Sequence, residues 1–326
     1  MNQILKQIYN QIITAQHILL VTHQNPDGDA VGSVSAMSHF LQKINKPHQT
    51  YCVHNTPEKL KKYPHIINLQ NDIQVWSDES IDLIIIMDCG DLKYAGIEEF
   101  VKKITHSPMI INIDHHNTNK KFGHINLVVS QASSTTEILY NFFKKNNLPI
   151  TKQISFCLLI GLITDTENFT NPGTNSQSLS IASHLIENGA NFNLIKNIFI
   201  KNKSINILKL WGEIFYRLDK HEATDIVYTY VTQKDLQEKN LTDNEVEGIA
   251  NFLNNLEEGK ACLVLKELTE GKVKGSFRTT RDDVDVSALA QLFGGGGHKK
   301  AAGFTMEGDI QEVIKKIWET LQNKIK

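Results

Sequence analysis

Three short apolar runs in the first 116 residues stop abruptly on side chains that can do chemistry: HILLVTH (His17–His23), DLIIIMDCG (Asp82–Gly90) and MIINIDHH (Met109–His116). Each is too short for a helix and almost uninterrupted by polar residues, the pattern of a strand buried on both faces. A further strand is expected at QTYCVH, and between strands lie helical patterns such as AVGSVSAMSHFLQKI (Ala30–Ile44). Strands alternating with helices predict an α/β domain built on a parallel sheet with helices on both faces. In such sheets ligands bind beyond the carboxyl ends of the strands. The residues that end these runs are therefore the first candidates for a site.

The rest of the chain continues the pattern and then changes it. SSTTEILYNFFKKNN reads as a helix capped at Ser133 or Ser134, and ISFCLLIGLITDT as a buried helix ending at Asp165. From Phe192 to His221 helices carry an apolar stripe (Leu194, Ile198, Ile205, Leu208, Trp211, Phe215) that could serve a partner chain, such as a second copy in a homodimer. DIVYTYV, ACLVLKEL and KVKGSFRT read as strands of a smaller mixed α/β domain closed by the helix IQEVIKKIWETLQNK. The expected division is a first domain at 1–191, a helical connector at 192–222 and a second domain at 223–326.

Composition narrows the class. Hydrophobic residues at 40% and charged residues at 21% suit an ordinary globular protein. A net charge of −2 argues against coating long nucleic acid but leaves room for a local cationic grip on something short. Cys52, Cys89, Cys157 and Cys262 are scattered without a CxxC pair, so neither a zinc ribbon nor a disulfide framework is expected, and a reduced, cytoplasmic setting fits. The most apolar stretch, ISFCLLIGLI, is too short to span a bilayer.

The strand ends deliver His23, with Asp27 and Asp29 in the following HQNPDGDAVGS; Asp88; and Asp114, His115 and His116. The buried helix delivers Asp165. Singly, each has an ordinary reading as a turn residue or helix cap. Together, five carboxylates and their imidazoles at one sheet edge would repel one another unless cations neutralise them. Asp and His donors without thiolates suit divalent ions such as Mn²⁺, and there are enough of them for two. Two metals about 3.5–4 Å apart are the usual arrangement for hydrolysing phosphate esters. Near the other end, GGGGHKKAAG (Gly294–Gly303) offers bare backbone N–H groups beside His298, Lys299 and Lys300, which suits an anion.

HQNPDGDAVGS, MDCGD, IDHHNTN, SSTTE, GLITDT and GGGGHKKAAG together resemble the DHH–DHHA1 phosphoesterases, and the size of the chain resembles the nano-RNase/pAp phosphatase type within them. The resemblance covers nearly the whole chain, with the motifs in the family's order. It implies that His23, Asp27 and Asp88 hold one Mn²⁺, and that Asp29, Asp88, His115 and Asp165 hold a second, with Asp88 bridging. Asp114 would orient the metal-bound imidazoles from behind, and His116 would face the scissile phosphate as general acid or electrostatic partner. Asn117 and Ser134 would stand in the substrate wall, supported by Glu137. Across a cleft, Arg278, His298 and the backbone of Gly295, Gly296 and Gly297 would grip the nucleotide. Asp285 and Ser287 are expected to cap the preceding helix.

The implied activity is hydrolysis of short RNA or DNA oligomers and of adenosine 3′,5′-bisphosphate (pAp). The alternatives are turnover of pApA in cyclic-di-AMP signalling, a pyrophosphatase or exopolyphosphatase, and a non-catalytic nucleotide-binding module. Relatives often carry Gly and an Arg-containing segment after Asp165, where this chain has TENFTNPGTN.

Overall fold

Successive residues of the first strand, β1 (Ile18–Val21), enter two different cores: Ile18 and Leu20 one, Leu19 and Val21 the other. The same alternation holds in β3 (Leu83–Met87), where Leu83, Ile85 and Met87 share the core of Ile18, and Ile84 and Ile86 that of Leu19. This is the two-sided burial that the uninterrupted apolar runs require. The computed structural model describes residues 2–200, 204–242, 246 and 248–325, the side chains of 197–200, 251, 255 and 325 excepted. The chain divides into two compact units, Met1–Asn202 and Lys203–Lys326.

In the first unit, β1, β2 (His48–Tyr51), β3, β4 (Met109–Asp114) and β5 (Ile125–Val128) form a parallel sheet in the order β2-β1-β3-β4-β5. The chain order reverses at β1, so the crevice at the carboxyl ends of β1 and β3 is where a ligand is expected. α1 (Asn2–Thr14) precedes β1 and α2 (Gly28–Lys43) follows it. Short α3 (Glu58–Lys61) precedes β3, and α4 (Leu92–Ala95) and α5 (Glu98–Lys103) link β3 to β4. After β5 come α6 (Thr135–Lys145), α7 (Lys152–Asp165), α8 (Ser176–Glu187) and α9 (Phe192–Ile200). Buried residues of α1, α2, α6 and α7 cover one face of the sheet, while Trp76, Phe100 and Val101 cover the other.

The second unit contains α10 (Ile205–Tyr216), β6 (Asp219–His221), β7 (Ile226–Val231), α11 (Gln233–Glu238), α12 (Ile249–Phe252) and β8 (Ala261–Leu268). β9 (Lys272–Arg278), α13 (Val286–Gln291), β10 (Gly296–His298), β11 (Ala301–Glu307) and α14 (Ile310–Ile325) follow. Its six strands form a mixed sheet, β10-β11-β9-β8-β7-β6, in which only β7 and β8 run parallel. Among the described residues, no helix is long and apolar enough to cross a membrane.

Two local outcomes differ from the sequence reading, and a third refines it. The apolar stripe does not form one surface: Leu194 packs on the first unit's core, and Trp211 and Phe215 on one of the second unit's. Ile205 and Leu208 are exposed, and the side chain of Ile198 lies outside the described residues. Asp285 caps the helix that follows it, accepting from Ser287 N and Ala288 N, because its own backbone is extended and non-helical. The glycine run is not a plain loop. Gly296–His298 pair with Ala301–Gly303 as a hairpin, and a Cβ at Gly295 would lie 2.1 Å from the Gly303 carbonyl oxygen.

One ion pair braces the second unit. Arg217, at the end of α10, donates to both carboxylate oxygens of Asp235, Nη2 to Oδ1 at 2.8 Å, while the Thr232 N–H donates to Oδ2 at 2.8 Å. Burial alone would raise the Asp235 carboxyl, but Arg217 and Thr232 outweigh it and hold it at about 2. Its folded value lies below the unfolded one of about 4, so the stabilisation is complete above about pH 4 and is lost as pH falls through about 2. Asp235→Asn is expected to cost about 1 kcal/mol in urea unfolding at neutral pH. That gap should narrow steadily on acidification from pH 4.

Candidate metal centre

Every side chain of the site is placed by the end of a regular element. His23 follows β1 by one residue, Asp88 follows β3 directly, and Asp114 is the last residue of β4 with His115 and His116 behind it. Asp27 caps α2, its Oδ1 accepting from Asp29 N at 2.9 Å and Ala30 N at 3.1 Å, and Asp29 sits in that helix's first turn. Asp165 is the last residue of α7. Asp88 adopts left-handed backbone angles (φ 58°), unusual for a residue with a side chain, and its N–H is fixed to the Ile113 carbonyl at 2.9 Å.

Asp88 is 2% exposed and lies at the middle of the cluster. His23 Nε2 approaches its Oδ2 at 3.6 Å, and His115 Nε2 and His116 Nδ1 approach Oδ1 at 3.7 and 3.9 Å. His23 Nε2 is also 4.0 Å from Asp27, and His115 Nε2 is 3.3 Å from Asp165. Donor atoms of His23, Asp27 and Asp88 fall within 4.8 Å of one another, as do those of Asp29, His115 and Asp165 and those of Asp88, His115 and His116.

The start of α6 closes the floor. Asp29 accepts from Thr135 N at 2.6 Å and from Thr136 N and Oγ1 at 3.0 and 2.8 Å, and the Thr135 hydroxyl donates to Asp88 at 3.0 Å. A helix amino end is a favourable partner for a carboxylate. Gly161 of α7 permits this approach, since a Cβ there would lie 2.6 Å from Asp29 Oδ1.

The protein alone leaves the cluster with excess negative charge. Burial and the charges of Asp88 and Asp27 push Asp165 up to about 8. Burial, then Asp88 and Asp165, raise Asp29 well above the carboxylate range, and burial and Asp88 raise Asp27. Burial works against Asp88 as well, yet the imidazoles of His23, His115 and His116 hold it low. Most of these His–Asp separations are too long for hydrogen bonds but fit donors sharing a cation. His23 also has a buried Nδ1 without a hydrogen-bond partner, and its ring is held by stacking on Tyr94 at 5.2 Å. The donor set of His and Asp, their crowding and their raised carboxyls fit two divalent ions.

His116 differs from the other two imidazoles. Its Nδ1 is 2.7 Å from Asp114 Oδ1, and that bond, strengthened by the charges of Asp114 and Asp88, raises it to about 9 against burial. Asp114 thus orients His116; His115 Nδ1 instead faces the Ala132 carbonyl at 3.4 Å. The far oxygen of Asp114 accepts from Asn119 Nδ2 at 2.6 Å, and the same amide reaches Asn112 Oδ1 and the Cys89 carbonyl.

Of the two residues expected in the substrate wall, Asn117 is exposed, and the amide that holds Asp114 is Asn119, two residues on. Ser134 is fully buried and caps α6, accepting from Glu137 N at 3.0 Å, which leaves no surface for substrate. Glu137 in turn accepts from Ser133 N and Oγ. Thr135, Thr136 and Asn119 were not singled out in the sequence, although all three lie inside the quoted SSTTE and IDHHNTN. In the divergent TENFTNPGTN, three consecutive left-handed residues, Glu167, Asn168 and Phe169, follow Thr166. Thr166 and Asn171 tie it down, the latter donating to the Asp165 carbonyl at 2.7 Å. In the second unit, Arg278 ends β9 opposite Ala301 of β11, and Gly296, Gly297 and His298 are exposed on β10, the edge strand.

Residues 17–162 match the DHH family, N-terminal domain, and residues 223–323 match the DHHA1 domain. The chain belongs to the DHH–DHHA1 family of phosphoesterases. Among curated relatives, the bifunctional oligoribonuclease and PAP phosphatase NrnA of Thermus thermophilus is 25% identical over 311 residues, 94% of this chain and 90% of its own. The Bacillus subtilis protein of the same name is 24% identical over 88% of each chain. Among solved structures, an exopolyphosphatase-related protein from Bacteroides fragilis superposes with a TM-score of 0.88 at 25% identity, covering 99% of this chain and 96% of that one.

Asn119→Ala should free Asp114 and with it His116. The expected result is a fall of about 10–100-fold in kcat on a phosphodiester. Mn²⁺ affinity, measured by calorimetry, should stay at the wild-type value because no metal-facing group moves. A parallel loss of metal affinity would show that Asn119 serves the fold of the site rather than His116.

Proposed function

We propose that this chain is a Mn²⁺-dependent, two-metal phosphoesterase that hydrolyses short oligonucleotides to mononucleotides and removes the 3′-phosphate of pAp. The observation that carries the reading is the cluster centred on Asp88, where three imidazoles and three further carboxylates converge. The names of the Thermus and Bacillus relatives support the choice of substrate. His23, Asp27 and Asp88 would hold one ion, and Asp29, Asp88, His115 and Asp165 the other. When bound, the ions would supply a hydroxide at neutral pH and neutralise phosphate charge.

The chain's own groups do the rest. Asp114 holds Nδ1 of His116, which leaves Nε2 to donate a proton to the leaving oxygen. Asn119 fixes the Asp114 carboxylate, so the imidazole meets the substrate in one orientation. Thr135 and Thr136 keep Asp29 and Asp88 from turning toward each other's partners. In the second unit, the exposed edge of β10 offers backbone N–H groups, His298 a side-chain donor, and Arg278, whose Nη1 also donates to the Phe277 carbonyl at 2.9 Å, a positive charge, for the phosphate of a nucleotide.

The test is hydrolysis, with Mn²⁺ and with EDTA, of pAp, pApA, a short RNA oligomer and pyrophosphate. RNA and pAp should be cleaved, EDTA should abolish both, and Asp88→Ala should abolish both while the melting profile survives. Preference for pApA would move the protein to dinucleotide turnover and put TENFTNPGTN under suspicion. Cleavage of pyrophosphate alone would contradict the proposal.

A further inference from the structure

The second unit contains a hollow that the proposed chemistry does not use. It measures about 350 Å³ and lies between α13 and the last turns of α14, over the starts of β7 and β8. Ile226, Ala261, Leu289 and Leu292 form much of its wall. Ile226 and Ala261 belong to the buried core, so the hollow is an opening into that core. Its size suits a small organic molecule, and displacing water from such walls is favourable.

The polar part of the lining has one sign. Among the described residues no carboxylate lines the hollow, whereas Lys260 and Lys324 do, and both are exposed. Among the described residues neither lysine has a carboxylate within ion-pair distance. Asp225 and Asp283, the carboxylates near Lys260, are engaged by Lys220 at 2.9 Å and Arg281 at 2.8 Å. The carbonyls ending α14 offset part of the Lys324 charge, and Lys260 leaves the net sign positive. Among the described residues Thr224 is the one neutral polar side chain in the lining, and its hydroxyl is occupied by the ring and carbonyl of His221. A nucleobase or ribose would leave its own polar atoms unpaired here.

We propose that this hollow binds a small organic anion with an apolar body, an aromatic or medium-chain carboxylate, and not a nucleotide. Its occupant would also bear on the glycine hairpin, because α13 forms one wall and holds the hairpin by three bonds. Ser287 Oγ donates to the Gly297 carbonyl at 3.0 Å, Val286 N to that of Lys299 at 2.9 Å, and Gly295 N to that of Ala290 at 3.0 Å. This second consequence rests on the reading of the hairpin as a nucleotide clamp.

The experiment is calorimetric titration of the full chain with 2-naphthoate and with 2-naphthylmethanol. Naphthoate should bind about tenfold more tightly than the alcohol, and the double variant Lys260→Glu, Lys324→Glu should erase that preference. Both lysines are exposed, so the variant should keep the wild-type melting profile. Ala288→Leu, which fills the hollow, should remove binding of both probes. The proposal is overturned if naphthoate does not bind, if the alcohol binds equally well, if charge reversal changes nothing, or if saturating pAp excludes naphthoate completely, as a shared site would, instead of changing its affinity by a limited factor. At saturating naphthoate the affinity for pAp should shift. An unchanged pAp affinity would overturn the link to the hairpin while leaving the site standing, whatever the chain hydrolyses.

Discussion

A single buried carboxylate organises the first unit's chemistry. Asp88 has nowhere to discharge its negative charge except onto imidazoles from two other strand ends, a threonine hydroxyl, and cations recruited from solution. Its left-handed backbone and its N–H bond to Ile113 aim the side chain at that meeting point. Desolvation raises the energy of every nearby carboxylate, so the site is under electrostatic tension until positive charge arrives. The scaffold must be stiff enough to keep these groups together against that repulsion. The parallel sheet, buried on both faces, and the tight α2–α7 approach at Gly161 provide the stiffness.

Two imidazoles adjacent in sequence end with different tasks because different acceptors hold them. His115 is turned toward the carboxylates of Asp88 and Asp165, whereas His116 is tied to Asp114 and raised to about 9. The distinction rests on a network that runs from Cys89 and Asn112 through Asn119 to Asp114. A carboxylate with one oxygen on an amide and the other on an imidazole cannot rotate without losing one of them, which makes the pair rigid.

Much of this was legible in the sequence for a simple reason. Apolar runs that stop on Asp or His state both where a strand lies and which side chains crown it, and a parallel sheet brings those crowns together. The rest needed tertiary context. Asn117 and Asn119 are equivalent as letters, and only the turn after β4 decides that Asn119 is the amide facing Asp114. Ser134 is read both as a cap and as a substrate contact, and its burial at the start of α6 leaves it only the cap. The glycine run reads as an anion grip, but composition does not show that it forms an edge hairpin in which Gly295 and Gly297 lie too close to Gly303, Ala301 and Ala302 for a side chain. β5, with the short INLV, lacked an apolar run long enough to announce itself.

The central claim is that Asp88 joins two metal positions into one site. Mn²⁺ binding to the purified chain, counted by equilibrium dialysis, tests it without reference to any substrate. The account predicts two ions for each wild-type chain and, in Asp88→Ala, weakened binding at both positions together with an unchanged melting profile for the metal-free protein. A single ion in the wild type, or full binding of both ions by the variant, would contradict it.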